Sequence, residues 1–260
     1  MHLTWLDSNS WLIEIAGARI LLDPWLVGDL MFGNTPWFFK ASHLQPIPIP
    51  ENIDLILLSQ GLPDHAHPET LKALDPSIPV VGSPNAAKVA TSLGFHSVTA
   101  LPHTETFLWN NQLKIQAFPG SLVGPQLIEN AFVLQDQAGA SLYYEPHGNH
   151  SAQVKSVAPV DVVIAPLIDF KLPLVGAFIQ GGDRALDLIQ WLQPQVVVPT
   201  LTEGEAQYEG FLNRFISAEG SLDEFRDRLA QVLPAAQLLT PRPGQRLSIP
   251  LQARQPSLQA

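Results

Sequence analysis

The sequence contains no cysteine. This absence excludes disulfide bonds, iron–sulfur clusters, thiol nucleophiles and zinc sites built on thiolates. Any bound metal ion must therefore be held by histidine, aspartate, glutamate or water.

Basic residues are scarce. Lysine and arginine number 14 against 24 aspartates and glutamates, which gives a formal net charge of −10 at pH 7. Neutralising nucleic-acid phosphates requires clustered lysine and arginine, so we expect no nucleic-acid partner. No apolar run has the length of a membrane span, and the first residues carry neither a basic nor an apolar leader segment. We therefore predict a cytoplasmic protein without stable membrane insertion.

Two common catalytic signatures are also missing. There is no Gly-x-Ser-x-Gly pattern of the kind that places a serine nucleophile on a strand–turn–helix. The pair Gly181–Gly182 lacks the lysine and the spacing of a phosphate-binding P-loop, and is more typical of a tight turn into a helix.

The residues that are present predict a well-packed α/β (α+β) fold. The first 25 residues read as an antiparallel meander, and apolar runs at 54–59, 161–166 and 195–200 are typical of strands buried on both faces. Helix-opening signals occur at Pro68, Pro84 and Ser221, and Asp183 is the expected N-cap of the helix that follows Gly181–Gly182. Two halves of this kind predict a four-layer αββα sandwich in one domain over 1–250, with 251–260 as a flexible tail.

Two connecting segments, at 25–39 and 171–182, are unusually apolar. Such segments suit a mouth for an apolar small-molecule substrate, a contact with a protein partner, or transient contact with a membrane surface. The alternative, that they pack against each other or plug the core, stays open at this point.

Candidate ligands lie in the segment PDHAH, which holds Asp64, His65 and His67. An Asp-His pair after a buried strand is suited to holding a metal. The alternatives are that the Asp64 carboxylate caps the helix that follows, that His65 is a hydrogen-bonded pocket histidine, and that His67 lies on the helix surface.

The segments TWLDSNSWLIEIAGARILLDPWL and IDLILLSQGLPDHAHPETL together resemble the metallo-β-lactamase fold superfamily, in particular its ascorbate-6-phosphate lactonase-like branch. The resemblance covers about residues 2 to 250 and implies the αββα fold. The family pattern is His-x-His-x-Asp-His, in which the first two histidines bind one metal and the last two residues bind another. Here Gln60 and Leu62 occupy the first two positions, whereas Asp64 and His65 match.

The resemblance also implies ligands further along the chain. The position of a bridging aspartate falls on His147, with Glu145 two residues earlier, and Leu201 or Thr202 stands where a closing histidine is expected. The implied site is thus degenerate and mononuclear, with Asp64, His65 and His147 as metal ligands. Asp64 and Glu145 are the candidate catalytic groups, and His67 or Glu203 is a further candidate ligand or base.

Two histidines and one carboxylate suffice for one zinc, iron or manganese ion. The leading hypothesis is a divergent metal-dependent hydrolase of an ester, lactone or phosphodiester bond. The alternative is a member without catalytic activity or metal, which binds a small molecule or a protein partner. Whether the chain is an enzyme therefore stays open from the sequence.

Overall fold

The structure is a computed structural model that describes residues 1–33, 35–124, 126–202 and 204–252. Four α-helices lie in this part of the chain, namely α1 (Pro68–Ala73), α2 (Pro84–Ser92), α3 (Gly182–Leu192) and α4 (Leu222–Val232). Short 3-10 turns span Ala152–Val157 and Leu212–Phe215.

Twenty strands lie in the same described residues. In chain order they are β1 (His2–Trp5), β2 (Trp11–Ile15), β3 (Ala18–Leu22), β4 (Leu30–Met31), β5 (Lys40–His43), β6 (Leu55–Leu58), β7 (Val80–Gly82), β8 (Val98–Ala100), β9 (Thr106–Trp109), β10 (Leu113–Val123), β11 (Leu127–Asp136), β12 (Ser141–Tyr144), β13 (Val162–Ala165), β14 (Asp169–Leu172), β15 (Gly176–Ile179), β16 (Val196–Pro199), β17 (Ala206–Glu209), β18 (Ser217–Glu219), β19 (Gln237–Leu238) and β20 (Arg246–Ser248).

Fourteen of these strands form two seven-stranded sheets. The first sheet has the order β20-β1-β2-β3-β6-β7-β8, and the second has the order β19-β16-β13-β12-β11-β10-β9. The predicted meander is confirmed, because β1, β2 and β3 pair antiparallel, whereas β3, β6, β7 and β8 run parallel. Two further three-stranded sheets are β15-β14-β18 and β17-β5-β4.

The two large sheets pack face to face because their strands alternate apolar side chains between two buried faces. In β6, Leu55 and Leu57 point into a core shared with the second sheet, while Ile56 and Leu58 point outward to α1 and α2. In the second sheet the outward face packs against α3 and α4 through side chains such as Leu188. The predicted αββα sandwich is therefore confirmed.

Helix starts agree with the sequence signals in part. Ser221 caps α4 by accepting from the Glu224 N–H at 3.1 Å. The expectation that Asp183 caps α3 is wrong, because Gly181 occupies the N-cap and Asp183 lies in the first turn. Gly182 has a backbone φ of +40°, which residues with a side chain rarely adopt, and this conformation allows a tight turn into the helix.

The two apolar segments, 25–39 and 171–182, lie in different parts of the fold. Trp25, Leu30 and Phe39 form a small cluster of their own beneath the β17-β5-β4 sheet, whereas Leu174 and Val175 project into solvent from the β14–β15 hairpin. Of the tail, only Leu251 and Gln252 belong to the described residues. No helix of the described chain is long and apolar enough to cross a membrane.

Candidate metal centre

The carboxyl ends of several central strands meet at one edge of the sandwich. Leu22 of β3 pairs beside Leu57 of β6, so the residues that follow these two strands are neighbours. In the second sheet, Tyr144 ends β12 next to Ile164 of β13. The Asn130 N–H donates to the Ser59 carbonyl at 3.0 Å and thereby joins the two sheets at this edge.

The segment after β6 turns sharply before α1 begins. The N–H groups of His65 and Ala66 both donate to the Leu62 carbonyl, at 3.0 and 2.8 Å. His67 is the N-cap of α1, and its Nδ1 accepts from the Thr70 N–H at 3.3 Å. The expected surface position of His67 is therefore wrong, because its side chain is buried under the helix start. Asp64 is therefore not the N-cap of α1.

The structure brings together the three residues expected to be metal ligands. Asp64, His65 and His147 each offer one ligand atom, and these atoms lie within 4.8 Å of one another. His65 is fully buried, whereas the side chains of Asp64 and His147 are 21% and 15% exposed. The cluster thus has a closed side at His65 and an open side at the other two residues.

A buried carboxylate orients His65. The Nδ1 atom of His65 donates to Asp23 Oδ2 at 2.8 Å. Because a carboxylate oxygen only accepts, this contact places a proton on Nδ1 and turns Nε2 toward Asp64, whose Oδ2 lies 3.2 Å away. Histidines that bind metals are commonly held in this way through their second nitrogen.

Asp23 itself is fixed by residues from both sheets. It accepts from the Ser59 N–H at 2.7 Å and from the Ser59 hydroxyl at 2.5 Å, both at the end of β6. The Tyr144 hydroxyl, at the end of β12, donates to Asp23 Oδ2 at 2.7 Å. The orientation of His65 therefore depends on both sheets.

A second buried carboxylate orients His147. The Nδ1 atom of His147 lies 2.9 Å from both carboxylate oxygens of Glu129, so its proton is shared between them. Glu129 also accepts from Gln60 Nε2 at 3.2 Å and from the Ser121 N–H at 3.3 Å. Both histidines of the cluster thus have the same carboxylate–imidazole arrangement.

A β-bulge makes room for Glu129. The pairing of β10 with β11 shifts register between Pro119 and Leu122. At Gly120 an added Cβ would lie 2.9 Å from Glu129 Cγ, so any larger residue would push the glutamate side chain away. Bulges commonly re-aim side chains beside functional sites.

Glu145 is a close neighbour of Glu129. Its fully buried carboxyl group accepts from the Ser121 hydroxyl at 2.7 Å and from the Gly148 N–H. Burial and the neighbouring Glu129 carboxylate hold the pKa of Glu145 well above its usual value. The catalytic role expected for Glu145 stays a prediction.

The two positions that depart from the family pattern are occupied differently. Gln60 is buried and turns its amide toward Glu129, while Leu62 contributes its backbone carbonyl to the turn before α1. Leu201 has its N–H 3.4 Å from the Ser8 carbonyl. Glu203, a further candidate ligand or base, lies outside the described residues.

The charges of the cluster favour a cation. Burial lowers the pKa of His65, but the carboxylates of Asp64 and Asp23 outweigh this effect and hold it well above the usual value. Burial raises the pKa of Asp64, and the nearby His65 and His147 more than compensate, so that it stays lowered. The carboxylates therefore stabilise positive charge within the cluster, and a metal ion would compete with a proton for the ligand atoms.

The residues present fit a divalent metal ion. His65 Nε2 and Asp64 Oδ1 are buried and have no hydrogen-bond partner among the described residues. Buried polar atoms are nearly always paired, so two unpaired ligand atoms in one cluster call for an additional partner. The separation of 3.2 Å between His65 Nε2 and Asp64 Oδ2 is close to the spacing of about 3.3 Å between two ligands about 2.0 Å from a tetrahedral zinc.

Sequence reasoning missed Asp23 and Glu129. The available signal for Asp23 was a carboxylate directly after the buried strand ILL and before a proline. Glu129 carried no such signal, because it precedes the apolar run AFVL and its role depends on the pairing of β10 with β11. Tyr208 was also missed. Although 40% of the residue is exposed, desolvation and the carboxylates of Asp7 and Asp64 raise its pKa to about 12, so its hydroxyl stays neutral.

Comparison with known proteins agrees with this architecture. Residues 2–201 match the family model described as a beta-lactamase superfamily domain. No curated protein sequence matches the chain significantly.

Three solved structures illustrate the structural similarity. An isothiocyanate hydrolase from Delia radicum gut bacteria is 17% identical, with a TM-score of 0.72 over 95% of this chain and 99% of that one. A metallo hydrolase from the archaeon Ignicoccus hospitalis is 15% identical, with a TM-score of 0.70 over 96% and 99%. A possible metal-dependent hydrolase from Veillonella parvula is 12% identical, with a TM-score of 0.72 over 96% and 99%.

At these sequence identities the solved structures show only a shared fold. Membership of the family rests on the family model, which covers most of the chain. The narrower lactonase-like branch stays a prediction. The chain belongs to the metallo-β-lactamase superfamily.

Proposed function

We propose that the protein is a metal-dependent hydrolase with a mononuclear site formed by Asp64, His65 and His147. The observation that carries this proposal is the convergence of their three ligand atoms within 4.8 Å. The buried carboxylates behind both imidazoles support it, since they fix each ring with Nε2 available. The hydrolases among the solved structures of the same fold add support from analogy.

The ion that fits these donors is zinc, iron or manganese. When bound, such an ion supplies a Lewis acid and lowers the pKa of a coordinated water to about 7. Substrates in keeping with this chemistry are small molecules with an ester, lactone or phosphodiester bond.

Residues of the chain itself have the remaining roles in this proposal. Asp23 and Glu129 hold the imidazoles of His65 and His147 in place. Glu145 holds Ser121 and the Gly148 backbone, so in this proposal it positions the loop that carries His147. The carboxylate of Asp64, which faces the open side, is the group placed to bind the ion and to take a proton from the substrate side.

Tyr208 adds a hydrogen-bond donor on the open side. Since its pKa is raised to about 12, the hydroxyl keeps its proton at neutral pH. In this proposal the neutral hydroxyl, whose pKa Asp7 and Asp64 influence, donates to an oxygen that gains negative charge during cleavage of an ester or phosphodiester.

The test is the metal content of untagged protein, measured by plasma mass spectrometry. Wild type is compared with His65→Ala and with the control His96→Ala, which removes an exposed histidine outside the cluster. We expect near-stoichiometric metal in wild type and the control, and its loss in His65→Ala with an unchanged circular dichroism spectrum. Screening of esters, lactones and phosphodiesters with the metal-loaded protein follows.

Wild-type protein that keeps its fold and takes up no zinc, iron or manganese would refute the proposal. The alternative, a member without catalytic activity that binds a small molecule or a protein, would then account for the retained pocket. Equal metal loss in His65→Ala and His96→Ala would mean that the metal was bound nonspecifically.

A further inference from the structure

A second candidate site lies on the outer face of the first sheet. It is a cavity of about 420 Å³, and none of its lining residues is Asp64, His65 or His147. Leu6 and Leu12 form its floor, and both belong to the outer-face core. The proline-rich segment 45–51 forms one wall.

The walls are mostly apolar and include a few polar groups. Ile47 and Ile49 face the cavity from the proline-rich segment. The ionisable groups are Asp7, His43, Glu51 and Glu205, and no lysine or arginine is among the described residues that line the cavity. An apolar body with a positively charged end would match this lining.

His43 presents an unpaired nitrogen. Its ring is stacked on Trp25, with centroids 3.9 Å apart, and its Nε2 lies 3.1 Å from the Trp25 carbonyl oxygen. Because a carbonyl oxygen only accepts, Nε2 carries a proton, and in this tautomer Nδ1 holds a lone pair. The side chain is only 7% exposed, and Nδ1 has no hydrogen-bond partner among the described residues.

The nearest charged group to this nitrogen is another acceptor. Asp7 Oδ2 lies 3.8 Å from His43 Nδ1, which is too far for a direct hydrogen bond. The Asp7 side chain is buried, and its two oxygens accept from the N–H groups of Ser8 and Glu205, at 2.7 and 2.9 Å. The basic group next to this carboxylate is His43, and no lysine or arginine of the described chain pairs with it, although buried charges usually have a permanently charged partner.

Two acceptors that face each other across 3.8 Å lack a donor between them. One nitrogen at about 2.9 Å from each can donate to both, and an ammonium carries three N–H groups. It would also supply the charge that the Asp7 carboxylate lacks. A water molecule could donate to both acceptors, but it would leave the carboxylate unpaired and the apolar walls without an occupant.

We propose that this cavity binds a small primary amine in its protonated form, with the ammonium between Asp7 and His43 and an apolar body against Leu6, Leu12 and Ile47. Glu51 and Glu205 at the rim favour the approach of a cation. The site is separate from the proposed hydrolytic site and needs no metal ion.

The first test uses the unchanged protein and two ligands of the same shape. Binding of cyclohexylmethylamine and of cyclohexylmethanol is measured by isothermal titration calorimetry at neutral pH. We expect the amine to bind one site per chain and at least about tenfold more tightly than the alcohol, because hydrogen bonds to a charged group are lost with the alcohol. Equal affinities, or no amine binding at millimolar concentration, would overturn the proposal.

Variants locate the amine. Asp7→Asn keeps the shape and suits the backbone φ of +85° at this residue, and His43→Phe keeps the stacking on Trp25. We expect each to weaken amine binding at least about tenfold, while His96→Phe, the same type of change at an exposed histidine, leaves it unchanged. Unaltered amine binding in folded Asp7→Asn and His43→Phe would refute the assigned position.

A further control separates this site from the metal centre, since amines also bind metal ions. The titration is repeated after treatment with EDTA and with His65→Ala. We expect the amine affinity to be the same in all three samples. Loss of binding in both the EDTA-treated protein and His65→Ala would assign the amine to the metal centre and overturn the proposal.

Discussion

The replacement Glu129→Gln tests how the chain holds His147. The substitution keeps the size of the side chain and removes the charge that both oxygens present to His147 Nδ1 at 2.9 Å. A glutamine amide can still accept one hydrogen bond, but it presents no negative charge to the imidazole. We therefore expect a weaker metal site with an intact fold.

The magnitude follows from the contacts. Loss of a carboxylate that orients a metal-binding histidine typically lowers metal affinity 10–100-fold, or about 1.4–2.7 kcal/mol. Stability of the metal-free protein should change less. Losing the hydrogen bonds to His147 lowers the stability of the folded state. This loss is partly offset, because the substitution also removes the repulsion between the Glu129 charge and its buried neighbour Glu145, whose pKa burial and Glu129 raise. We expect the metal-free Tm to move by only a few degrees.

The assay is a competition titration of zinc against a chromophoric chelator, combined with thermal unfolding of the metal-free protein. Glu105→Gln is the matched control, because it makes the same change on an exposed side chain. An unchanged zinc affinity in a folded Glu129→Gln protein would refute the argument that Glu129 orients a ligand. A large loss of metal-free stability would assign the glutamate a structural role instead.

Three further outcomes are expected. Tyr208→Phe should lower kcat/KM for an identified substrate about tenfold through loss of one hydrogen bond, with metal content unchanged by mass spectrometry. EDTA should lower the wild-type Tm by about 5–10 °C and leave His65→Ala unaffected, as differential scanning fluorimetry would show. Burial lowers the pKa of His150 from 6.5 to about 3. Its unfolded form therefore binds the extra proton, and stability falls as pH drops from about 6.5 toward 3. Urea unfolding of metal-free protein should show a loss between pH 7 and pH 5 that is about 2 kcal/mol smaller in His150→Gln, and equal losses would contradict this.

Much of the fold could be predicted from the sequence because its signals are local. Runs such as ILL, LILL and VVIA are buried on both faces, and only a sandwich with helices outside accommodates several of them. The capping residues were less predictable. His67 caps α1 although histidine is an uncommon N-cap, and its burial depends on Asp29, whose carbonyl lies 3.3 Å from its Nε2.

The candidate metal centre could be predicted only where it follows a motif. Asp64 and His65 are adjacent in the chain, and His147 follows a buried strand, so position alone indicates them. Asp23 and Glu129 act on histidines 42 and 18 residues away. Such pairs depend on strand register and on the bulge at Gly120, and a single sequence does not encode these in any local pattern.

If the ion binds as proposed, the contact between Tyr144 and Asp23 links the stability of the two sheets to metal binding. Because His65 is oriented through a hydrogen bond that crosses the sandwich, conformations in which the sheets separate locally would lose the ion while retaining their strands. Bound metal should therefore slow amide hydrogen exchange in both sheets and not only in the loop that carries Asp64. Core substitutions remote from the site, such as Leu134→Ala, should by the same linkage weaken metal binding in proportion to how far they populate the opened state.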